Sequence, residues 1–354
     1  MKTLPNLNSL RFFLALIVLI YHLRLFSINQ GLPYLEGIPI LEKGIEAVYM
    51  FFVLSGFLIV RSIYREKSIK TFSIKNFYMR RVLRILPLYY LIVFIGFIFY
   101  NIILPYLDIP FQINYDLKKG IFLTIFLFPN VLKYYDPGGI LDVLWSIGIE
   151  EQFYLFIAPL LFFIKKNKIL QVLIFFFISY FVIYHIDVFF FLKRYTFVYF
   201  FLIIGGVISI LEEENRLSFL KEKKIVPIIV TALVILQFFT NYFKIDNKLL
   251  YNFFTSILFS LFVYSISHLN FNIEIKNRTL NYFGKISYGI YMFHVLSINL
   301  VTFVFLKIIG IDYFSESITI ILLHFFTIFF TLINAHFSYK YFEMFFLKMK
   351  KKYR

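Results

Sequence analysis

The chain has 354 residues, of which 60% are apolar, 22% are aromatic and only 16% are charged. Soluble proteins are about 45–50% apolar, so this composition excludes two soluble domains and predicts a polytopic membrane protein built from α-helical spans. The 36 basic and 20 acidic residues give a net charge of +16, which we assign to cytoplasmic loops rather than to the binding of nucleic acid.

Apolar blocks separated by charged residues or by glycine, proline and asparagine give ten candidate spans of about 20 residues. They lie near residues 10–28, 46–63, 85–104, 146–164, 169–186, 195–211, 225–243, 249–267, 286–306 and 315–338. A further apolar block, Ile121–Leu132, is too short to cross a bilayer and is predicted to be interfacial, re-entrant or part of an outer loop. We therefore expect an all-α protein with one membrane domain over residues 1–354 and no additional soluble domain.

The basic residues are distributed unevenly between the two sides of this arrangement. Ten spans place both termini on the same side, and 26 of the 36 basic residues fall on that side. Cytoplasmic loops of membrane proteins carry an excess of lysine and arginine. Both termini are therefore predicted to lie in the cytoplasm. Lysine outnumbers arginine, and Phe, Ile, Tyr and Asn are abundant, which indicates an AT-rich bacterial genome and predicts a location in the inner or plasma membrane of a bacterium.

Cysteine is absent from the chain. Disulfides, thiolate metal ligands and an acyl-cysteine intermediate are therefore excluded, and a covalent intermediate would need another nucleophile. The six histidines are scattered, and no spacing between histidine and carboxylate resembles a ligand set, so we expect no metal site.

The first apolar block contains two side chains that are costly inside a membrane, Arg11 and His22. The block has no small-residue cleavage site, so we expect a retained first span rather than a signal peptide. Eleven residues make about three helical turns, so the two side chains project from nearly the same face about 16 Å apart along the axis. Arg11 is then near the cytoplasmic surface and His22 in the outer half. The alternative is that Arg11 is an anchor and His22 a packing residue.

Two more blocks contain unusual side chains. The second reads FFVLSGFLI, and Ser55 and Gly56 at its middle favour close helix packing over a nucleophilic serine. The third begins with RRVLRILPLYY, in which Arg81 and Arg84 lie one turn apart on one helix face. Arginines at a cytoplasmic boundary suit either anionic lipid headgroups or a phosphorylated ligand, and the spacing leaves both open.

The fourth block opens with WSIGIEEQFY, which contains Trp145 and the adjacent carboxylates Glu150 and Glu151. Adjacent helix residues point about 100° apart, so at most one of these carboxylates faces a given cavity squarely. Trp145 also fits the role of an interface anchor. The ninth block contains ISYGIYMFHV, with His294 in its inner half.

Taken in order, these segments are similar to the motifs of integral membrane acyltransferase family 3, which includes many bacterial polysaccharide O-acetyltransferases. The matching segments are SLRFFLALIVLIYH, AVYMFFVLSGFLI, RRVLRILPLYY, WSIGIEEQFY and ISYGIYMFH, over residues 9–295. Each segment alone is a weak signal, whereas five in the same order with the expected number of spans favour the family. The chain departs from the family at Ala47–Met50, where other members often have Gly-Val followed by an acidic or polar residue.

The resemblance implies an enzyme that moves an acyl group, usually acetyl, from cytoplasmic acyl-CoA to a hydroxyl of an extracytoplasmic or cell-surface glycan. It implies that His22 takes the proton of the acceptor hydroxyl or forms a transient acyl-histidine, and that Glu150 orients or polarises His22. The CoA phosphates would bind arginine, whose planar fork of donors suits phosphate. The implied donor-binding residues are Arg11, Arg81 and Arg84, and the candidates for the substrate site are Trp145, Tyr154 and His294.

Two other interpretations compete with an acyltransferase. A transporter, flippase or polymerase acting on polysaccharide or lipid-linked sugar would also have many spans and basic loops. The ordered motifs and the lack of an internal repeat disfavour it. A non-catalytic relative that acts as a membrane interaction protein is disfavoured because the chain retains the residues named above. The candidate acceptors are capsule, lipopolysaccharide, exopolysaccharide, peptidoglycan and a small secreted metabolite.

Overall fold

The structure is a computed structural model that describes residues 4, 6–218, 225–243, 245–267, 275, 277–310 and 313–353. Every regular element in these ranges is a helix. The main helices are α1 (Leu7–Asn29), α2 (Gly44–Ser68), α3 (Ile74–Ile98), α4 (Leu117–Ile125), α5 (Trp145–Phe163), α6 (Ile169–His185), α7 (Tyr199–Glu213), α8 (Ile225–Phe239), α9 (Lys248–Ile266), α10 (Arg278–Lys285), α11 (Ser287–Val304) and α12 (Glu316–Phe337). Helices α3, α11 and α12 continue with changed helical pitch to Tyr106, Ile309 and Tyr353.

The prediction of an all-α polytopic membrane protein is confirmed. Within the described residues, eight helical stretches are long and apolar enough to cross a membrane. A ninth is reached only if α7 is joined to Asp187–Arg194, which precedes it at an angle of 86°. Helix α8 is apolar but has 15 residues, fewer than the about 20 that a perpendicular span needs. Each of the ten predicted blocks therefore coincides with a helix, although two of these helices fall short of a full span.

The block that was predicted to be too short for a span forms no long helix. Helix α4 ends at Ile125, and Pro129–Leu132 is a separate helix of four residues. The hydroxyl of Tyr89 donates to the carbonyl oxygen of Thr124 at 2.9 Å, and that of Tyr90 donates to Ile125 at 3.0 Å. The end of α4 is therefore attached to α3 by hydrogen bonds that satisfy carbonyl groups left open at a helix end.

The chain forms two compact units, which we describe separately. The first contains the described parts of Met1–Phe51, Ile228–Lys244 and Ser265–Met344, and the second contains those of Phe52–Pro227, Ile245–Tyr264 and Phe345–Arg354. In the first unit, α1 packs on α10 and α11, and α11 packs on α12. Helices α1 and α10 approach each other closely at Gly284 of α10. A Cβ added there would lie 2.0 Å from the carbonyl oxygen of Asn8 in α1.

In the second unit, α2 and α7 approach each other backbone to backbone. A Cβ on Gly56 would lie 1.9 Å from the carbonyl oxygen of Leu202, and one on Gly205 would lie 2.1 Å from that of Val53. Only hydrogen fits in either place, so the interpretation of Gly56 as a close-packing residue is confirmed. This contact positions Ser55, the neighbour of Gly56, beside α5.

Charged side chains connect the ends of these helices in the second unit. Arg61 donates to Glu212 and Glu213, both at 2.6 Å, and Arg65 also pairs with Glu213. The ammonium group of Lys67 donates to three carbonyl groups at the end of α5, those of Leu161, Phe162 and Ile164. Since the last carbonyls of a helix lack partners within it, Lys67 completes the end of α5.

Candidate functional site

Two arginines on α3 differ from the other arginines of the second unit. Arg80 donates to both carboxylate oxygens of Glu66 at 2.8 and 2.9 Å, and Arg61 and Arg65 are paired with carboxylates as described above. Neither Arg81 nor Arg84 makes a hydrogen bond or ion pair in the part of the chain that the structure describes. Arg81 and Arg84 are thus half-buried cations, and no described carboxylate accepts a hydrogen bond from either of them.

Arg81 is held in place by an aromatic ring rather than by a carboxylate. Its guanidinium group lies over the ring of Phe77, with 5.6 Å from Cζ to the ring centroid. Its Nε is buried and has no hydrogen-bond partner. Such an unsatisfied charged donor is costly in an apolar surrounding, and an anion would satisfy it.

Glu150 accepts hydrogen bonds from two hydroxyl groups. Ser55 of α2 donates to Oε1 at 2.7 Å, and Tyr154, one turn further along α5, donates to Oε2 at 2.9 Å. The structure therefore brings together two predicted site residues, Glu150 and Tyr154. It adds Ser55, which sequence reasoning treated as a packing residue because no acid–base partner is near it in the sequence.

Glu151 is the functional candidate that sequence reasoning left without a role. It is buried, its Oε1 has no hydrogen-bond partner, and it interacts electrostatically with Arg81. Adjacent helix residues point about 100° apart. Glu150 therefore accepts a hydrogen bond from Ser55 of α2, whereas the charge of Glu151 attracts Arg81 of α3. The signal in the sequence was the presence of two adjacent acids at an apolar helix start.

Trp145 is a buried residue and not an exposed anchor at the membrane surface. Only 3% of its surface is exposed. Its ring meets Phe52 edge to face at 5.7 Å between centroids. The ammonium group of Lys133 lies 4.9 Å from the ring centroid and pairs with Asp142 at 3.5 Å. Its role as a substrate-site residue stays a prediction.

The first unit contains a contact between two histidines that are far apart in the sequence. Nε2 of His294, on α11, lies 3.2 Å from Nδ1 of His22, on α1. His294 is 1% exposed, whereas His22 is half-buried. Sequence reasoning selected both residues but did not predict that they touch.

The predicted site residues therefore fall into two groups. Arg11, His22 and His294 belong to the first unit, and the second group contains Arg81, Arg84, Trp145, Glu150 and Tyr154. The predicted pairing of Glu150 with His22 concerns residues of different units, and it stays a prediction.

The comparison with known families decides the class of protein. A family model described as an acyltransferase domain matches residues 4–336. The chain belongs to this acyltransferase family. The resemblance inferred from the five motifs is confirmed, and together with the apolar helices it makes the chain a multi-pass membrane protein.

Several relatives of this acyltransferase chain carry descriptive names. The peptidoglycan O-acetyltransferase OatA of Listeria monocytogenes is 28% identical over 85% of this chain and 50% of its own length. SACOL0978 of Staphylococcus aureus, named as a candidate O-acetyltransferase, is 26% identical over 97% of this chain and 57% of its own. YrhL of Bacillus subtilis, named as a candidate peptidoglycan O-acetyltransferase, is 30% identical over 44% of this chain and 23% of its own.

This acyltransferase chain thus spans about half the length of the first relatives it matches, 50% and 57%. No solved structure shows a significant match to it. Within its described residues, no group of three or more histidine, cysteine or acidic side chains is arranged to hold a metal ion. The described imidazole and carboxylate side chains can perform acid–base chemistry, and the arginines can bind an anion.

Proposed function

We propose that the chain is a membrane O-acetyltransferase that moves an acetyl group from cytoplasmic acetyl-CoA to a hydroxyl of an extracytoplasmic or cell-surface glycan. Membership of the acyltransferase family supports the reaction type, and the names of the relatives support an O-linked acetyl group on a glycan. We further propose that residues 1–354 act as one acyltransferase domain in the bacterial inner or plasma membrane.

The proposal of an acyl-CoA donor is supported by the arginine pair on α3. In the second unit, Arg61, Arg65 and Arg80 are paired with carboxylates, whereas the donors of Arg81 and Arg84 face no carboxylate within bonding distance among the described residues. Arginine binds phosphate through two parallel charge-assisted hydrogen bonds. A pair of arginines whose donors remain available is therefore suited to the phosphates of CoA, and Arg11 is proposed to assist them.

The proposed chemistry uses the imidazole of His22. The acceptor hydroxyl loses its proton to His22 as its oxygen attacks the thioester carbonyl carbon of the donor. The tetrahedral intermediate then collapses, the carbon–sulfur bond breaks, and the imidazolium returns the proton to the departing thiolate. Glu150 is proposed to orient or polarise His22. An acyl-histidine on His22 is the alternative route within the same reaction class.

Peptidoglycan is the first acceptor to test, because two of the relatives are named for it. Capsule, lipopolysaccharide and other surface glycans are the further candidates. Trp145, Tyr154 and His294 are proposed to line the substrate site, since aromatic and imidazole side chains can stack on and hydrogen-bond to a sugar.

The test measures acetate released by mild alkali from isolated surface glycans. Cells would carry the wild-type chain, no chain, His22→Ala, or the control His324→Ala. His324 is a matched control because it is also half-buried in a helix of the first unit, where its Nδ1 bonds the carbonyl of Ile320 at 2.8 Å. We expect ester-linked acetate with the wild type and with His324→Ala, and none in the other two strains.

Two outcomes would contradict the proposal. Equal acetate in all four strains would remove the transferase assignment for surface glycans. A change in the amount of glycan, without a change in its acetate content, would indicate a transporter or polymerase instead.

A further inference from the structure

We propose that His294 is a positioning residue that holds the ring proton of His22 on Nδ1, which makes Nε2 of His22 the basic atom. This inference deepens the proposed function, and its catalytic part rests on that function. It follows from the atoms that surround the imidazole rings of His22 and His294.

The ring proton of His294 is located by its own helix. Nδ1 of His294 lies 2.5 Å from the carbonyl oxygen of Tyr291. A carbonyl oxygen can only accept a hydrogen bond, so Nδ1 of His294 carries the proton and donates it. A neutral imidazole has one N–H group, and therefore Nε2 of His294 carries a lone pair and acts as an acceptor.

That acceptor faces His22. Nδ1 of His22 lies 2.9 Å from the carbonyl oxygen of Val18 and 3.2 Å from Nε2 of His294. The carbonyl oxygen of Val18 and Nε2 of His294 can each accept a hydrogen bond, and neither can donate one. These two hydrogen bonds therefore form only if Nδ1 of His22 carries the proton. The basic lone pair of His22 then lies on Nε2, the ring nitrogen further from the backbone.

The contact also constrains the charge of His294. If His294 were doubly protonated, its Nε2–H would point at the Nδ1–H of His22, and two donors would face each other. The ring of His294 is 1% exposed, so water cannot separate the two donors. A neutral His294 is therefore the partner that the geometry requires.

This arrangement assists proton transfer from an acceptor hydroxyl. When Nε2 of His22 takes that proton, the ring becomes an imidazolium whose Nδ1–H donates a stronger, charge-assisted hydrogen bond to Nε2 of His294. The proton leaves again from Nε2 to the departing thiolate, and His294 is unchanged over the cycle. In serine hydrolases a carboxylate performs this positioning. A neutral imidazole does so without placing a further charge in the membrane.

A competing explanation is that the carbonyl of Val18 alone holds the ring proton of His22 on Nδ1. Other histidines of the chain also donate from Nδ1 to a carbonyl of their own helix, among them His185 to Phe181 at 2.7 Å. If that bond alone determines the tautomer of His22, His294 is a packing residue. The experiment must therefore measure the tautomer and not only the activity.

The first measurement is the ¹⁵N NMR spectrum of full-length protein with labelled histidine, in lipid nanodiscs. The signals of His22 are assigned by their loss in His22→Ala. We expect a protonated Nδ1 and an unprotonated Nε2 for His22 in the wild type. The opposite tautomer in the wild type would overturn the proposal, whatever the variants do.

The second measurement compares His294→Ala, His294→Gln and the control His324→Ala. We expect His294→Ala to shift His22 toward the Nε2–H tautomer. We also expect it to lower kcat roughly 10- to 100-fold, a part of what a positioned general base contributes, with KM for acetyl-CoA unchanged. The amide oxygen of Gln can accept from Nδ1, so His294→Gln should restore both the tautomer and most of kcat. His324→Ala should change neither.

The outcomes separate this inference from the proposed function. An unchanged His22 tautomer in His294→Ala would overturn the positioning role, even if activity fell. A tautomer that moves as expected, in a protein that transfers no acetyl group to any glycan tested, would remove the proposed function and leave the proton-holding role of His294 in place.

Discussion

At the scale of single residues, the nearest carboxylate decides what an arginine of this chain can do. Arg80 and Arg84 lie one helical turn apart on α3. Glu66 binds Arg80 through both oxygens, which uses the donors that would otherwise bind a phosphate. Among the described residues no carboxylate does the same for Arg84. The role of an arginine in this chain therefore depends on whether a carboxylate is bound to it.

This difference predicts the effect of Arg84→Ala. The variant should raise KM for acetyl-CoA by about 10- to 100-fold, because a charge-assisted hydrogen bond contributes about 1.5–3 kcal/mol. Steady-state kinetics with purified protein in nanodiscs would measure it. Arg65→Ala is the matched control, since Arg65 is bound by Glu213, and its KM should equal that of the wild type. Equal KM values for Arg84→Ala and the wild type would favour a role in anchoring lipid headgroups.

At the scale of helices, the contact between α2 and α7 positions the carboxylate site of the second unit. Gly56 allows the two backbones to touch, and Ser55, one residue earlier, then bonds Glu150 of α5. The same stretch of α2 thus supplies a close packing contact on one side and a hydrogen-bond donor on the other. A helix periodicity of 3.6 residues makes this possible, because adjacent residues face different neighbours.

The contact predicts that Gly56→Ala destabilises the protein by about 1–3 kcal/mol, the range for overpacking a tight interface. Thermal unfolding in detergent, followed by circular dichroism, would measure the change. Gly289→Ala is a graded control, because its added Cβ would lie 3.2 Å from atoms of Ala335, which can be accommodated by a small shift. We expect a smaller loss for Gly289→Ala. A Gly56→Ala protein as stable as the wild type would contradict the backbone contact between α2 and α7.

At the scale of the whole molecule, the distribution of charge predicts how the chain lies in the membrane. In the predicted arrangement of ten spans, both termini share one side, which has 26 of the 36 basic residues, and this asymmetry predicts a cytoplasmic location for the termini. The prediction depends on ten crossings, and α8, with its 15 residues, is the helix on which the count depends most. A tilted short helix can cross only where the bilayer thins to match it.

The chain is well suited to a direct topology test because it contains no cysteine. Single cysteines at Thr71, Gln112 and Asp246, all exposed positions between helices, would be labelled with a membrane-impermeant maleimide in intact cells. We expect labelling of Gln112→Cys and Asp246→Cys but not of Thr71→Cys, which should react only after lysis. Labelling of Gln112→Cys without Asp246→Cys would mean that α8 does not cross the membrane.

Much of this fold could be predicted from the sequence because apolar blocks of span length have one stable form in a bilayer, the helix, which satisfies its own backbone groups. All ten blocks coincide with helices for that reason, and the motif order identified the family. Charged and imidazole side chains inside those blocks were equally visible, since they are costly there. The start of α3 was predicted less well, near residue 85 instead of Ile74, because hydropathy does not reveal a helix that continues through charged residues. Hydropathy also did not reveal the bend before α7 or the shortness of α8.

The sequence by itself determined the membrane class, the helices, the family and the side chains able to do chemistry. Only the tertiary structure decided which of those side chains meet. His22 and His294 are 272 residues apart, and Ser55 and Glu150 are 95 apart. Helical spacing relates only residues of the same helix. Contacts at larger separations depend on how distant helices pack, and that packing determines which arginines keep their donors and where the proton of His22 lies.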